Sequence, residues 1–220
     1  MLFDLRGRGR RRTVQGVYLD LALLMGAGLV LFGVGAGNGF GGLLNAFSGS
    51  GSGNQKSVVS AQEKAALKQI KVNPNNSAAW AALVQARWTS AGQGNSFNST
   101  TGQFTTAGKK ELSSATQAWQ RYLTLTKKPD PNLAVLAARA YAAQGDYAGE
   151  AGAWEIEAGA NPTEAKGYEC LAASAYAAKQ TRKGDLATAK AITLVPKAQR
   201  GLLKTQIQQA KTNPQVAQQC

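Results

Sequence analysis

Histidine is absent from this 220-residue chain, which removes the commonest general base, the commonest metal ligand and every nucleophile that relies on an imidazole. Cysteine is scarce. Cys170 and Cys220 alone supply thiols, too few and too far apart for any zinc-ligand spacing. Cys220 is the last residue, on a segment expected to fray. Two unpaired thiols are therefore the expectation, with a disulfide between them as the alternative outside the cytoplasm. Acidic side chains are also few, 12 against 25 Lys and Arg. Glycine-rich stretches lack the Lys-Ser/Thr ending of a phosphate cradle, and carboxylates two apart, such as Glu155 and Glu157, fall on different faces of a helix. No catalytic residue, metal-ligand set or cofactor is expected, and the chain does not read as an enzyme.

What is present begins with a cluster of charge. Residues 1–13 hold Arg6, Arg8, Arg10, Arg11 and Arg12 against Asp4. Between Arg12 and Lys56 the only charge is Asp20, and residues 14–35 are apolar almost throughout. Twenty-two helical residues reach roughly 33 Å, enough for the hydrocarbon core of a bilayer. A single transmembrane helix is expected over 14–35, embedded in lipid. The arginines before it place the N-terminus in the cytoplasm and the remainder outside. A signal peptide cleaved after Val34-Gly35-Ala36 and a buried core helix are the rival readings. Asp20, near the cytoplasmic end, is read as solvated among headgroups, with pairing to another membrane helix as the alternative. From Gly33 to Gly53 the chain carries nine glycines, interspersed with Ser48, Ser50 and Ser52. Residues 36–56 read as a flexible tether.

Residues 57–212 change character, to alanine-rich stretches separated by Asn, Pro, Gly and Asp, with no strand-like alternation. Punctuation predicts helices near 57–72, 77–91, 108–126, 131–144, 147–160, 163–179, 183–194 and 197–212, followed by a tail over 213–220. The fold class is all-α. Pro74, Pro129, Pro162 and Pro196 lie 55, 33 and 34 residues apart, each at the end of a helix-turn-helix unit. The long first interval holds an insertion, 92–108, polar and rich in Gly and Thr. A disordered surface loop is expected there, although Phe97 and Phe104 suit a segment that folds back on the helices. Asn98-Ser99-Thr100 has the form of a glycosylation acceptor, relevant only in a eukaryotic secretory route.

The run Ala140-Tyr141-Ala142-Ala143-Gln144-Gly145-Asp146-Tyr147, followed by Trp154 and closed by Pro162, resembles the end of helix A and the start of helix B in a tetratricopeptide repeat. Tyr168, Leu171, Ala172, Gly184, Ala191 and Pro196 follow the same pattern one unit on, and Trp80 and Leu83 after Pro74-Asn75-Asn76 open an earlier unit. Glu150 departs from the pattern where a small residue belongs, and Tyr176 falls one place late. The resemblance implies a solenoid of helix hairpins, with small residues at helix crossings and large aromatics between units. Trp80, Trp119, Tyr141, Trp154 and Tyr168 are accordingly expected in the core.

It also implies a peptide groove on the helices A. The family's groove positions map onto Gln85, Trp88, Asn132, Arg139, Lys166, Glu169 and Tyr176, without reproducing a carboxylate clamp. The expectation is a membrane-anchored interaction scaffold on the outer face of a bacterial-type cytoplasmic membrane, with protein or peptide partners and a role in secretion or envelope assembly. An alternative rests on charge. Lys166 to Lys211 holds nine basic residues against Glu169 and Asp185, a net of +7, which suits anionic lipid or wall polymer. Nucleic acid is not an expected partner, since no binding module for it is present.

Overall fold

A computed structural model of the chain describes residues 52–220. The arginine cluster of 1–13, the apolar span 14–35 and the tether up to residue 51 lie outside the described residues. Among the described residues no helix is long and apolar enough to cross a membrane.

The described chain is all-helical but for one very short hairpin. Its α-helices are α1 (Ser52–Val72), α2 (Ser77–Ala91), α3 (Thr106–Leu125), α4 (Pro131–Gln144), α5 (Tyr147–Ala160), α6 (Ala165–Ala177), α7 (Thr181–Leu194) and α8 (Arg200–Gln209). Each corresponds to a helix expected from sequence. The first starts earlier, at Ser52, so the tether does not extend to Lys56 as expected. Gly53 falls in the opening turn, and helix ends fray enough for a poor helix former to cost little there. The predicted 197–212 helix opens instead with a 3-10 turn, Lys197–Gln199, ahead of α8.

Caps explain several of the boundaries. Asn76, Thr105, Asp130 and Asp146 each accept a backbone N–H of the first helical turn through the side chain, from Ala79, Gly108, Asn132 and Gly149 respectively. These bonds satisfy donors the helix itself cannot. Pro131 opens α4, where its missing N–H costs nothing. At the other end Gly145 takes φ +75°, and Asp146 N–H closes back on Tyr141 O. The end of α6 repeats that turn with Lys179 at φ +64° and Gln180 N–H on Ala175 O. A lysine there bears the left-handed backbone strain that glycine avoids.

Helices pack as consecutive antiparallel neighbours, α2 on α3, α4 on α5 and α6 on α7, with α5 also against α6 and α1 against α2. The first helices of the hairpins also meet, α2 with α4 and α6 with α8. Arg87 fastens the first turn of this stack: its two terminal nitrogens lie 2.7 Å from Glu63 on α1 and 2.7 Å from Glu111 on α3. The core is alanine-rich and centred on Trp119, Tyr122, Tyr141 and Trp154, all buried. Trp80 and Tyr168 are partly buried against it. Of the five aromatics expected in the core, Trp119, Tyr141 and Trp154 lie within it, while Trp80 and Tyr168 sit at its edge.

Two hairpins share one contact. The ring of Tyr141 covers Gly149 across α4 and α5, and the ring of Tyr176 covers Gly184 across α6 and α7. Both pairs are eight residues apart. Tyr176 is one place late for a 34-residue period, but Gly184 is late by the same step, so the packing survives the slip. A Cβ at either glycine would run into the tyrosine ring. Gly149→Val and Gly184→Val are each expected to cost about 2–3 kcal/mol through overpacking, measured as a fall in the urea midpoint. Gly152→Val, whose Cβ position is open, serves as the control, at about 1 kcal/mol or less.

Candidate functional site

The inserted segment is ordered rather than a structureless loop. Phe97–Asn98 and Gln103–Phe104 form a minimal antiparallel hairpin, with Phe97 opposite Phe104. Their rings meet edge to face at 5.2 Å, and Phe104 in turn lies 6.2 Å from Trp88 on α2. The two aromatics fold the insert back onto the helices, as the alternative reading had it. Asn98 Oδ1 accepts the backbone N–H groups of Thr100 and Thr101, which fixes the exposed tip.

The tail differs more from expectation. Residues Pro214–Gln219 form a 3-10 helix capped by Asn213, and it packs on α4, α6 and α8. Ala217 is fully buried and Val216 partly so. Cys220 and Cys170 are joined in a disulfide, their Cα atoms 5.6 Å apart across 50 residues of sequence. The expectation of two unpaired thiols on a frayed end is corrected: α8 turns the chain back so that the last residue lands on the middle of α6.

The non-covalent hold on this segment is slight. Its backbone hydrogen bonds close within 213–220, and one side-chain bond leaves it, from Gln218 Nε2 to Tyr147 Oη at 3.2 Å. Burying Ala217 and part of Val216 contributes about 2 kcal/mol and that bond about 1 kcal/mol. Ordering seven residues costs on the order of 7 kcal/mol or more. The disulfide, which closes a 50-residue loop, contributes about 4 kcal/mol in the chain-entropy account and supplies most of the difference.

Between α2, the insert, α4 and the tail lies a cleft of about 620 Å³, lined among others by Trp88, Phe104, Lys109, Arg139, Glu150 and Cys220. Trp88 and Arg139, two of the positions mapped from the repeat pattern, thus meet in one cleft. Lys166 and Glu169 line a smaller one, of about 220 Å³, on the other side of Cys220. They pair with each other at 3.5 Å in an exposed geometry worth little. Gln85 is half-buried on α2 and Asn132 is exposed in the first turn of α4; neither lines these two clefts.

Tyr176 is not a groove residue. It is 2% exposed, sealed over Gly184, and its hydroxyl donates to Asp185 Oδ1 at 2.7 Å while accepting from Thr188 Oγ1 at 3.2 Å. That hydroxyl, aided by Lys211, holds the Asp185 carboxyl below the usual carboxylate range. Burial pushes the Tyr176 phenol up. Aromatic side chains near the end of a helix A look alike in sequence whether they face the groove or the partner helix.

Glu150 is the residue that sequence reasoning did not assign to a site. It has no exposed surface, and neither carboxyl oxygen has a hydrogen-bond partner. Desolvation raises its pKa from 4.5 to about 8; the Trp154 indole N–H one turn on pulls the other way without closing a hydrogen bond. The signal for it lay in the sequence, as a glutamate where the repeat pattern wants a small residue. Among the described residues no three or more Cys, Asp or Glu side chains gather as a metal site.

Comparison with known protein families, with curated proteins and with solved structures finds no match to this chain.

Proposed function

We propose that this chain is a membrane-anchored, tetratricopeptide-like scaffold that binds peptide or protein partners on the outer side of a bacterial-type cytoplasmic membrane. The observation that carries the reading is the cleft in which Trp88 and Arg139, from two successive first helices, come together over about 620 Å³. An aromatic face beside an exposed guanidinium suits an extended peptide, with ring contact for apolar side chains and a charged fork for carbonyls or carboxylates. The repeated Tyr-over-Gly contact supports the repeat reading, since solenoids reuse one packing unit. The disulfide supports the location, because such bonds persist in oxidising compartments outside the cytoplasm. The anchor itself rests on the sequence of residues 14–35.

Site-specific photo-crosslinkers at Trp88 and Arg139, placed in the full chain in native membranes, test this. Protein adducts are expected from both positions, and at least five-fold fewer from Arg182 on α7, which lies outside this cleft. Absence of adducts at Trp88 and Arg139 in both the oxidised and the reduced chain rejects the scaffold. The anionic-polymer alternative finds less support, because Lys183 pairs with Glu155 and Lys211 with Asp185, which uses part of the basic surface it needs.

A further inference from the structure

We propose that Cys170–Cys220 is a thiol-exchange site whose substrate partner is a dithiol, and that its opening releases Pro214–Cys220 from the helix face, uncovering the surface on which partners bind. This names a regulation of the scaffold face and so rests on the reading above.

Three observations converge. The segment lies on α4 and α6, the same helices that carry Arg139, Lys166 and Glu169. Its last residue lines both clefts, so it separates Trp88 and Arg139 on one side from Lys166 and Glu169 on the other. Apart from Ala217, Val216 and one bond to Tyr147, its hold is the covalent one.

The two sulfurs are unequal. Cys170 is fully buried in α6, whereas Cys220 is partly exposed and borders open clefts. Exchange therefore begins at Cys220. A thiolate of the dithiol attacks Cys220 Sγ, forming a mixed disulfide and expelling Cys170 as a thiolate that takes up a proton. The second thiolate of the donor attacks its own sulfur in the mixed disulfide and releases Cys220, which is protonated in turn. Two electrons pass from the donor, which leaves as a disulfide, and the chain gains two thiols.

The test uses the full chain in detergent micelles, with dithiothreitol as the dithiol and hydrogen exchange followed by mass spectrometry. With two thiols titrated per chain, exchange in 214–220 is expected to rise at least ten-fold, while α4 and α6 change less than two-fold. Cys220→Ser should show the same pattern without reductant. Unchanged exchange in 214–220 after complete reduction overturns the proposal. So does a parallel rise across α4 to α8, which makes the bond a staple of the whole domain. Photo-crosslinking at Arg139 separates this from the scaffold reading. Capture at least five-fold higher in Cys220→Ser than in the oxidised chain supports shielding of the face, and equal capture refutes it while leaving the scaffold intact. No capture in either form, with the segment released, rejects the scaffold and leaves the exchange site standing.

Discussion

Trp119→Ala is expected to lower the stability of the helical domain by about 3–5 kcal/mol. The indole is 2% exposed and stacks on Tyr122, ring centres 5.4 Å apart. Tyr122 in turn accepts the Asp130 N–H at 3.0 Å through its hydroxyl, at the residue that caps α4. Removing the indole thus opens a cavity and loosens the aromatic that sets where the next hairpin starts. Against a total stability of about 5–15 kcal/mol for a domain, the loss is a large fraction. Urea unfolding followed by circular dichroism should show a lower midpoint with unchanged slope. Trp80→Ala, at a half-buried position whose indole N–H reaches only Pro74 O, should cost about 1–2 kcal/mol. Equal losses for the two would show that the core is not centred on α3.

Glu150→Gln is expected to stabilise the protein at alkaline pH and to leave it unchanged in acid. The folded carboxyl titrates near 8 and its ordinary value is 4.5. Below about pH 4.5 both states are protonated and the group has no influence. As pH rises from there to about 8, the unfolded chain ionises while the folded one holds its proton, so stability falls progressively. Above about 8 both are ionised and the penalty is constant, at a few kcal/mol. Glutamine keeps the shape and removes the titration. The difference between variant and wild type should be near zero at pH 4 and reach about 3–5 kcal/mol at pH 8.5. A difference that does not vary with pH would sink the assignment.

The helices were legible because many of their ends carry residues with a local mechanism: Asn76, Asp130 and Asp146 as caps, Gly145 in the left-handed turn, proline after each hairpin. Those effects act over four or five residues and survive translation into a string. Trp88 and Arg139 were legible through the repeat pattern alone, which names a face without saying what else covers it. Tyr176 was misplaced because the pattern marks an aromatic, and only the position of Gly184 decides which way the ring turns. The disulfide was illegible for the same kind of reason. Whether residue 220 reaches residue 170 depends on the path of α8 and the turns around it, not on anything near either cysteine. Glu150 was visible only as a misfit in the repeat pattern, and its burial depends on helices far apart in sequence.

The disulfide also reroutes force. A pull applied at Cys220 against the N-terminal side of the chain passes through the sulfur bridge into α6, so the 50-residue interval from Cys170 carries no tension and α7 and α8 stay slack. In the oxidised protein that stretch is hidden length. Reduction would return it to the load path, with about 170 Å of extra reach once its helices are pulled out to full extension.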